Sequence, residues 1–154
     1  LQQNRINFSF LDLPTKKQFA PYRGSEDDFQ ISAARFLDTL GLLWFHPANE
    51  RKTKSYELKS GQKISLEGIH LKRKGVKRGV PDCMIQEPYG GYIGFAIELK
   101  VGRNTLTEEQ KWWLSELEKR GWKTLVTWSF DEFIYEVQNF VAQKRNTVLP
   151  LLQK

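Results

Sequence analysis

Cysteine is nearly absent: the chain of 154 residues contains one, Cys83. A single thiol closes no intrachain disulfide and supplies no cysteine-rich zinc site, which suits a reducing cytosol. Buried packing is its expected role. Histidine is almost as scarce. His46 and His70 share no metal-ligand spacing with other candidates, so each is expected to be a satisfied or surface histidine. No apolar run approaches the ~18 residues of a spanning helix, so no membrane partner is expected. The sequence shows no internal repeat and no low-complexity tract. The chain begins at Leu1 rather than Met and has no signal-like segment, which leaves room for a natural N-terminus upstream. Acidic charge is in the minority, with 18 Asp and Glu against 24 Lys and Arg, a net +6. That surplus favours an acidic partner such as nucleic acid or an anionic membrane surface without deciding the matter.

Apolar residues make up 40% and aromatics 13% of the chain, enough for a folded domain with a sizeable core. Residues 1–24 are polar, punctuated by Pro14, Pro21 and Gly24, and look like an irregular arm. One domain is expected over 25–145, with a tail over 146–154. SEDDFQISAARFLDTLG predicts a helix from an N-cap at Ser25 to a stop at Gly41. LLWFHP predicts a short strand. Residues 49–78 are long, polar and basic, with a helical piece from about Ser65 to Lys74. A loop of that length usually has a functional reason. PDCMIQE and YIGFAIELKV predict two strands around PYGG. LTEEQKWWLSELEKRG predicts a helix capped by Thr107, WKTLVTW a strand, and SFDEFIYEVQNFVAQ a helix opened by a Ser129–Glu132 capping box. The order is α-β-β-β-α-β-α, and the strand-helix-strand unit over 93–128 predicts a parallel crossover.

Within the hairpin, polar residues fall on positions that should be half-buried. A turn centred on Gly90 sets Asp82 opposite Glu98, Met84 opposite Ala96, Cys83 opposite Ile97 and Ile85 opposite Phe95. Like charges directly opposite each other are destabilising. A divalent cation between them would remove that repulsion, and oxygen ligands suit a hard ion such as Mg²⁺ or Mn²⁺. Lys100 lies two residues past Glu98 and shares its face. On the first helix Glu26 falls within the side formed by Phe29, Ala33, Phe36, Leu37 and Leu40, while Asp27 and Asp28 point away. On the next long helix Gln110 falls between Trp113, Leu114 and Leu117. Such polar groups need partners. Alternatively both are first-turn residues, Glu26 favouring the helix dipole and Gln110 forming a capping box with Thr107.

Asp82, fifteen intervening residues, then Glu98-Leu99-Lys100 resembles the PD-(D/E)xK nuclease superfamily, with Pro81-Asp82 as the literal PD. GVKRGVPD at 75–82, IELK at 97–100 and LTEEQ at 106–110 are more specific. With SEDDFQ at 25–30 and HPANERK at 46–52, they resemble the virus-type replication-repair nuclease family, VRR-NUC, over about residues 25–142. The resemblance implies an α/β restriction-endonuclease-like core, a mixed sheet flanked by helices, with an extra C-terminal helix. It implies Glu26, Asp82 and Glu98 as carboxylates of a Mg²⁺ or Mn²⁺ site, with the Leu99 carbonyl as a further ligand. Lys100 would orient or activate the attacking water and offset phosphate charge, with Gln110 beside it. One departure is Cys83, where the family carries an apolar residue, often Leu.

Lys72, Arg73, Lys74, Lys77 and Arg78 run straight into the PD motif and are expected to contact phosphates. Asn49, Arg51 and Lys52 are expected to reach the scissile strand. Trp113 lies on the apolar side of its helix, and Trp112 roughly opposite. An exposed Trp112 is read first as a homodimer contact, second as a DNA-stacking residue, with packing under the N-terminal arm as the plain alternative. The expected activity is a metal-dependent, structure-selective endonuclease on branched DNA, such as a Holliday junction resolvase of phage or prophage origin. The alternatives are a non-catalytic nucleic-acid-binding module on a nuclease fold, an RNA-directed, flap or sequence-specific nuclease, and structural ion pairs in an unrelated protein. The expected location is the cytoplasm of a bacterial or phage-infected cell, or the nucleus of a eukaryotic one.

Overall fold

The computed structural model describes residues 19–47 and 55–146. In chain order the elements are α1 (Glu26–Thr39), β1 (Trp44–Phe45), β2 (Tyr56–Glu57), β3 (Lys63–Ile64), α2 (Leu66–Arg73), β4 (Cys83–Ile85), β5 (Phe95–Leu99), α3 (Glu108–Lys119), β6 (Lys123–Thr127) and α4 (Phe130–Ala142). A 3-10 turn over Gln143–Asn146 follows. The expected order is present, with one addition inside the basic segment. There Tyr56 pairs with Ile64 and Glu57 with Lys63 in a small separate hairpin. Each of its strands is two residues long and exposes Lys, Glu and Tyr, so no apolar alternation announces it.

The main sheet runs β1-β4-β5-β6. β1 and β4 are antiparallel, as are β4 and β5, while β5 and β6 are parallel as the crossover required. Cys83 pairs with Ile97, Met84 with Ala96 and Ile85 with Phe95, the register expected for a turn at Gly90. Gly90 and Gly91 turn the chain with φ of 61° and 82°, a region that favours glycine.

Alternation on the strands sends side chains to two cores. Cys83, Ile85, Phe95, Ile97 and Leu99 pack against Phe29, Ala33 and Leu37 of α1 and Phe133, Val137 and Phe140 of α4. Each buried Phe or Leu contributes about 1.5–3 kcal/mol through area removed from water. Met84 and Ala96 on the opposite face meet Leu117 of α3, with Val80, Trp113 and Trp122 closing the edge. Cys83 is fully buried, as expected, and burial, reinforced by the Asp82 charge, pushes its thiol up to about 12.

The caps fall where the sequence puts them, with one change. Ser25 caps α1 in a box with Asp28, whose carboxylate is held below its usual range by the Ser25 hydroxyl and backbone N–H. Thr107 and Gln110 form the box of α3. Ser129 caps α4, but Glu132 does not return the bond to the cap N–H. Its carboxylate accepts from the Thr127 hydroxyl at 2.7 Å, and the Ser129 N–H donates to the Thr127 hydroxyl oxygen at 3.1 Å. Of the expected arm, residues 19–24 form no helix or strand yet pack on the domain. Tyr22 stacks on Phe29 with ring centroids 4.5 Å apart, and its N–H donates to the Trp128 carbonyl at 2.7 Å. Among the described residues no helix is long and apolar enough to cross a membrane.

Candidate functional site

The end of β5 carries the buried charges. Glu98 is 1% exposed and Lys100 6%. Burial of either alone would be strongly unfavourable, and they are paired, Lys100 Nζ donating to Glu98 Oε1 at 2.8 Å. Gln110 of α3 donates to the same Glu98 oxygen through Nε2. The other end of that amide, Oε1, accepts from the Thr107 backbone N–H at 2.9 Å. A backbone N–H can only donate, so the amide orientation is fixed. The capping box and the site contact, set out as alternatives from the sequence, are two ends of one side chain.

Asp82 stands in a bend just before β4 rather than inside the ladder, which begins at Cys83. Its Oδ2 accepts from the Leu99 backbone N–H at 2.7 Å, across from Glu98. Of the two facing carboxylates, whose repulsion a divalent cation was expected to remove, Glu98 is paired here with Lys100. The third carboxylate, Glu26, is exposed at the start of α1 and not core-facing as the helical wheel implied. The wheel fails there because the helix begins at Glu26, beyond the edge of the packed face. Its Oε1 accepts from Asn104 Nδ2 at 3.4 Å, and the Asn104 carbonyl accepts from Trp128 Nε1 at 3.0 Å.

These residues meet around a cavity of about 60 Å³ lined by Glu26, Asp27, Gln30, His46, Asp82, Glu98, Leu99 and Lys100. Asp27 lines it too, against the expectation that it points away. A larger cavity of about 280 Å³ shares Asp82 and is lined by Pro47, Arg78, Gly79, Val80, Thr107, Glu109 and Gln110. The segment between α2 and β4 is pressed onto α3. Trp113 Nε1 donates to the Arg78 carbonyl at 2.9 Å. At Gly79, with φ of 75°, a Cβ would sit 2.7 Å from the Glu109 backbone carbon and 2.8 Å from the Gln110 nitrogen. Only glycine lets this segment approach the helix so closely.

By donor type the carboxylates and the Leu99 carbonyl fit a hard oxygen-seeking ion. They do not gather into a closed cage: among the described residues no group of three His, Cys, Asp or Glu side chains is drawn close enough to hold a metal. The cause is visible in their contacts, Glu98 on Lys100 and Gln110, Asp82 on Leu99 and Glu26 on Asn104. Mg²⁺ is commonly held by one or two carboxylates with several waters retained, so an open arrangement of this kind remains a fit.

Lys72, Arg73, Lys74, Lys77 and Arg78 are all exposed on α2 and the segment leading to Asp82, and Arg78 borders the larger cavity. Asn49, Arg51 and Lys52 lie outside the described residues. Trp113 packs in the α3 core, whereas Trp112 is 59% exposed beside it. Sequence reasoning missed Gln30, His46 and Asn104 as neighbours of the site. Gln30 was within reach, four residues after Glu26 and so on the same helical stripe. Asn104 comes from an irregular loop that carries no periodic signal.

No family model matches the chain, and no curated protein matches it. Among solved structures, one described as a VRR_NUC domain protein is 26% identical with a TM-score of 0.55, covering 79% of this chain and 93% of its own. The chain has a VRR-NUC-like fold, a mixed sheet flanked by helices, which is the fold of a nuclease-type domain.

Proposed function

We propose that the chain is a Mg²⁺- or Mn²⁺-dependent endodeoxyribonuclease that cuts branched DNA as a homodimer, a Holliday junction resolvase of phage or prophage origin. The observation that carries this is the convergence of Asp82, Glu98 and Lys100 from one hairpin with Glu26 from α1 on a single cavity, with Gln110 from α3 bonded to Glu98. Glu26, Asp82, Glu98 and the Leu99 carbonyl are the groups that would hold an ion. The chemistry a bound Mg²⁺ or Mn²⁺ supplies is charge neutralisation at phosphorus and easier deprotonation of water. Lys100 holds its proton at Nζ against Glu98 and brings positive charge beside the scissile phosphate. Gln110 keeps Glu98 Oε1 turned toward Lys100.

Lys72, Arg73, Lys74, Lys77 and Arg78 contact the phosphate backbone, joined by Asn49, Arg51 and Lys52. Such contacts supply affinity and orientation rather than sequence preference. Trp112 is the proposed dimer contact, and a twofold dimer would present two sites to a junction of like symmetry. A second reading, a DNA-binding module without catalysis, would rest on the same exposed basic residues of α2 and of the segment leading to Asp82.

The two are separated by incubating labelled four-way junction, flap, single-stranded and duplex DNA with the protein in Mg²⁺, Mn²⁺ or EDTA, alongside sedimentation. Paired symmetric nicks on the junction, and a dimer that Trp112→Ala converts to monomer, are expected. Tight junction binding without cutting in either ion would establish the module instead.

A further inference from the structure

His46 stands at the exit of β1 and lines the small cavity together with Glu26, Asp82, Glu98 and Lys100. Its Nδ1 lies 2.6 Å from the backbone oxygen of Asp82. A carbonyl oxygen only accepts, so Nδ1 carries the hydrogen and donates it. In the neutral ring this leaves Nε2 with the lone pair, a tautomer set by the Asp82 carbonyl.

The position of Asp82 makes that bond consequential. β1 is paired to β4 through Trp44 with Ile85 and Phe45 with Met84, and the β4–β5 ladder begins at Cys83. Asp82 lies beyond both sets of pairs, in a bend. The Leu99 N–H takes hold of its carboxylate and His46 takes hold of the peptide that carries it. Pro47 follows His46 and disfavours helical backbone at it.

We propose that His46 is a positioning residue of the site, its Nδ1–H fixing the Asp82 peptide so that the carboxylate is presented to the cavity. This rests on the metal-dependent nuclease reading and assigns His46 a part in it. Removing such an outer hydrogen bond typically weakens metal binding about 10–100-fold.

The experiment measures Mn²⁺ binding to the full chain by calorimetry, without DNA, for wild type, His46→Ala, His46→Asn, His46→Gln and Asp82→Asn. Melting midpoints are taken in EDTA. The Asn amide nitrogen reaches the place of Nδ1, whereas the longer Gln places its amide nearer the place of Nε2. His46→Ala and His46→Gln should bind Mn²⁺ about tenfold more weakly or worse. His46→Asn should bind close to wild type, and all three should melt near wild type. Wild-type affinity in His46→Ala would overturn the proposal, as would failure of a folded His46→Asn. If His46→Ala melts early, the Asn and Gln variants, both polar, decide the case by the same criterion. If folded wild type binds no Mn²⁺, or Asp82→Asn binds as tightly as wild type, the ion site itself falls and the role of His46 with it.

Discussion

Replacing Lys100 by Met tests the buried pair at the heart of the site. Lys100 is 6% and Glu98 1% exposed, and their charged atoms are 2.8 Å apart. Removing one partner of such a pair leaves an uncompensated buried charge, at a cost of about 3–5 kcal/mol. Glu98 retains the Gln110 donor and borders a cavity that admits water, so the lower end applies, about 3 kcal/mol. In a chain of this length each kcal/mol moves the midpoint by roughly 2–4 °C, giving a fall of about 6–12 °C. Glu98→Gln should cost a similar amount by stranding the ammonium. The double variant Glu98→Gln/Lys100→Met removes both charges and should return to within about 1 kcal/mol of wild type, because neutral replacements of a buried ion pair are often tolerated. Urea unfolding in EDTA, followed by circular dichroism, completes the cycle. Single variants as stable as wild type, or a double variant as unstable as the two single effects added, would show that the two charges do not stabilise each other.

Gly79→Ala combines a left-handed backbone, costing about 1–2 kcal/mol, with a collision against the α3 backbone costing about 1–3 kcal/mol. The same urea series should show a large drop in stability, and an unchanged midpoint would mean that the segment before Asp82 does not press on α3. Cys83, pushed up to about 12, should resist Ellman's reagent at pH 8 until the chain is unfolded, and rapid native labelling would contradict its burial. Between its ordinary 9.0 and about 12 the native thiol keeps a proton that the unfolded chain releases, so this contribution to stability is lost as pH rises above about 9. Cys83→Ala should flatten that slope, measured by urea unfolding across the alkaline range. Neutralising Lys72, Arg73 and Lys74 to Gln should lower the salt slope of DNA affinity by about 0.9 for each duplex phosphate no longer neutralised, read by fluorescence anisotropy. An unchanged slope would remove α2 from the interface.

Strong periodicity made most of the fold readable. Apolar residues at helical spacing marked α1, α3 and α4, and β-branched and aromatic runs marked the sheet. The β4–β5 register followed from the turn position because a shift of one residue would exchange the buried and polar faces. The hairpin of β2 and β3 escaped because two-residue exposed strands have no face to reveal. At the site, Glu98, Lys100 and Gln110 were visible as polar residues interrupting apolar faces. His46 and Asn104 were not, because hydrogen bonds at irregular backbone leave no pattern along the chain. The ion pair itself limits how the site can be tested by substitution. Glu98→Gln or Lys100→Ala alone would leave a buried charge unmatched, so neither is a clean test of catalysis by a fully stable chain.

Whether the carboxylate–lysine cluster cuts DNA is decided by incubating a labelled four-way junction with wild type and with the charge-free Glu98→Gln/Lys100→Met variant, each in Mg²⁺, Mn²⁺ or EDTA. Wild type should cut in the presence of an ion and stop in EDTA, while the double variant folds and binds the junction but leaves it intact. A wild-type chain that binds the junction without cutting it in either ion, or a double variant that cuts as fast as wild type, would rule out Glu98 and Lys100 as the cleaving machinery.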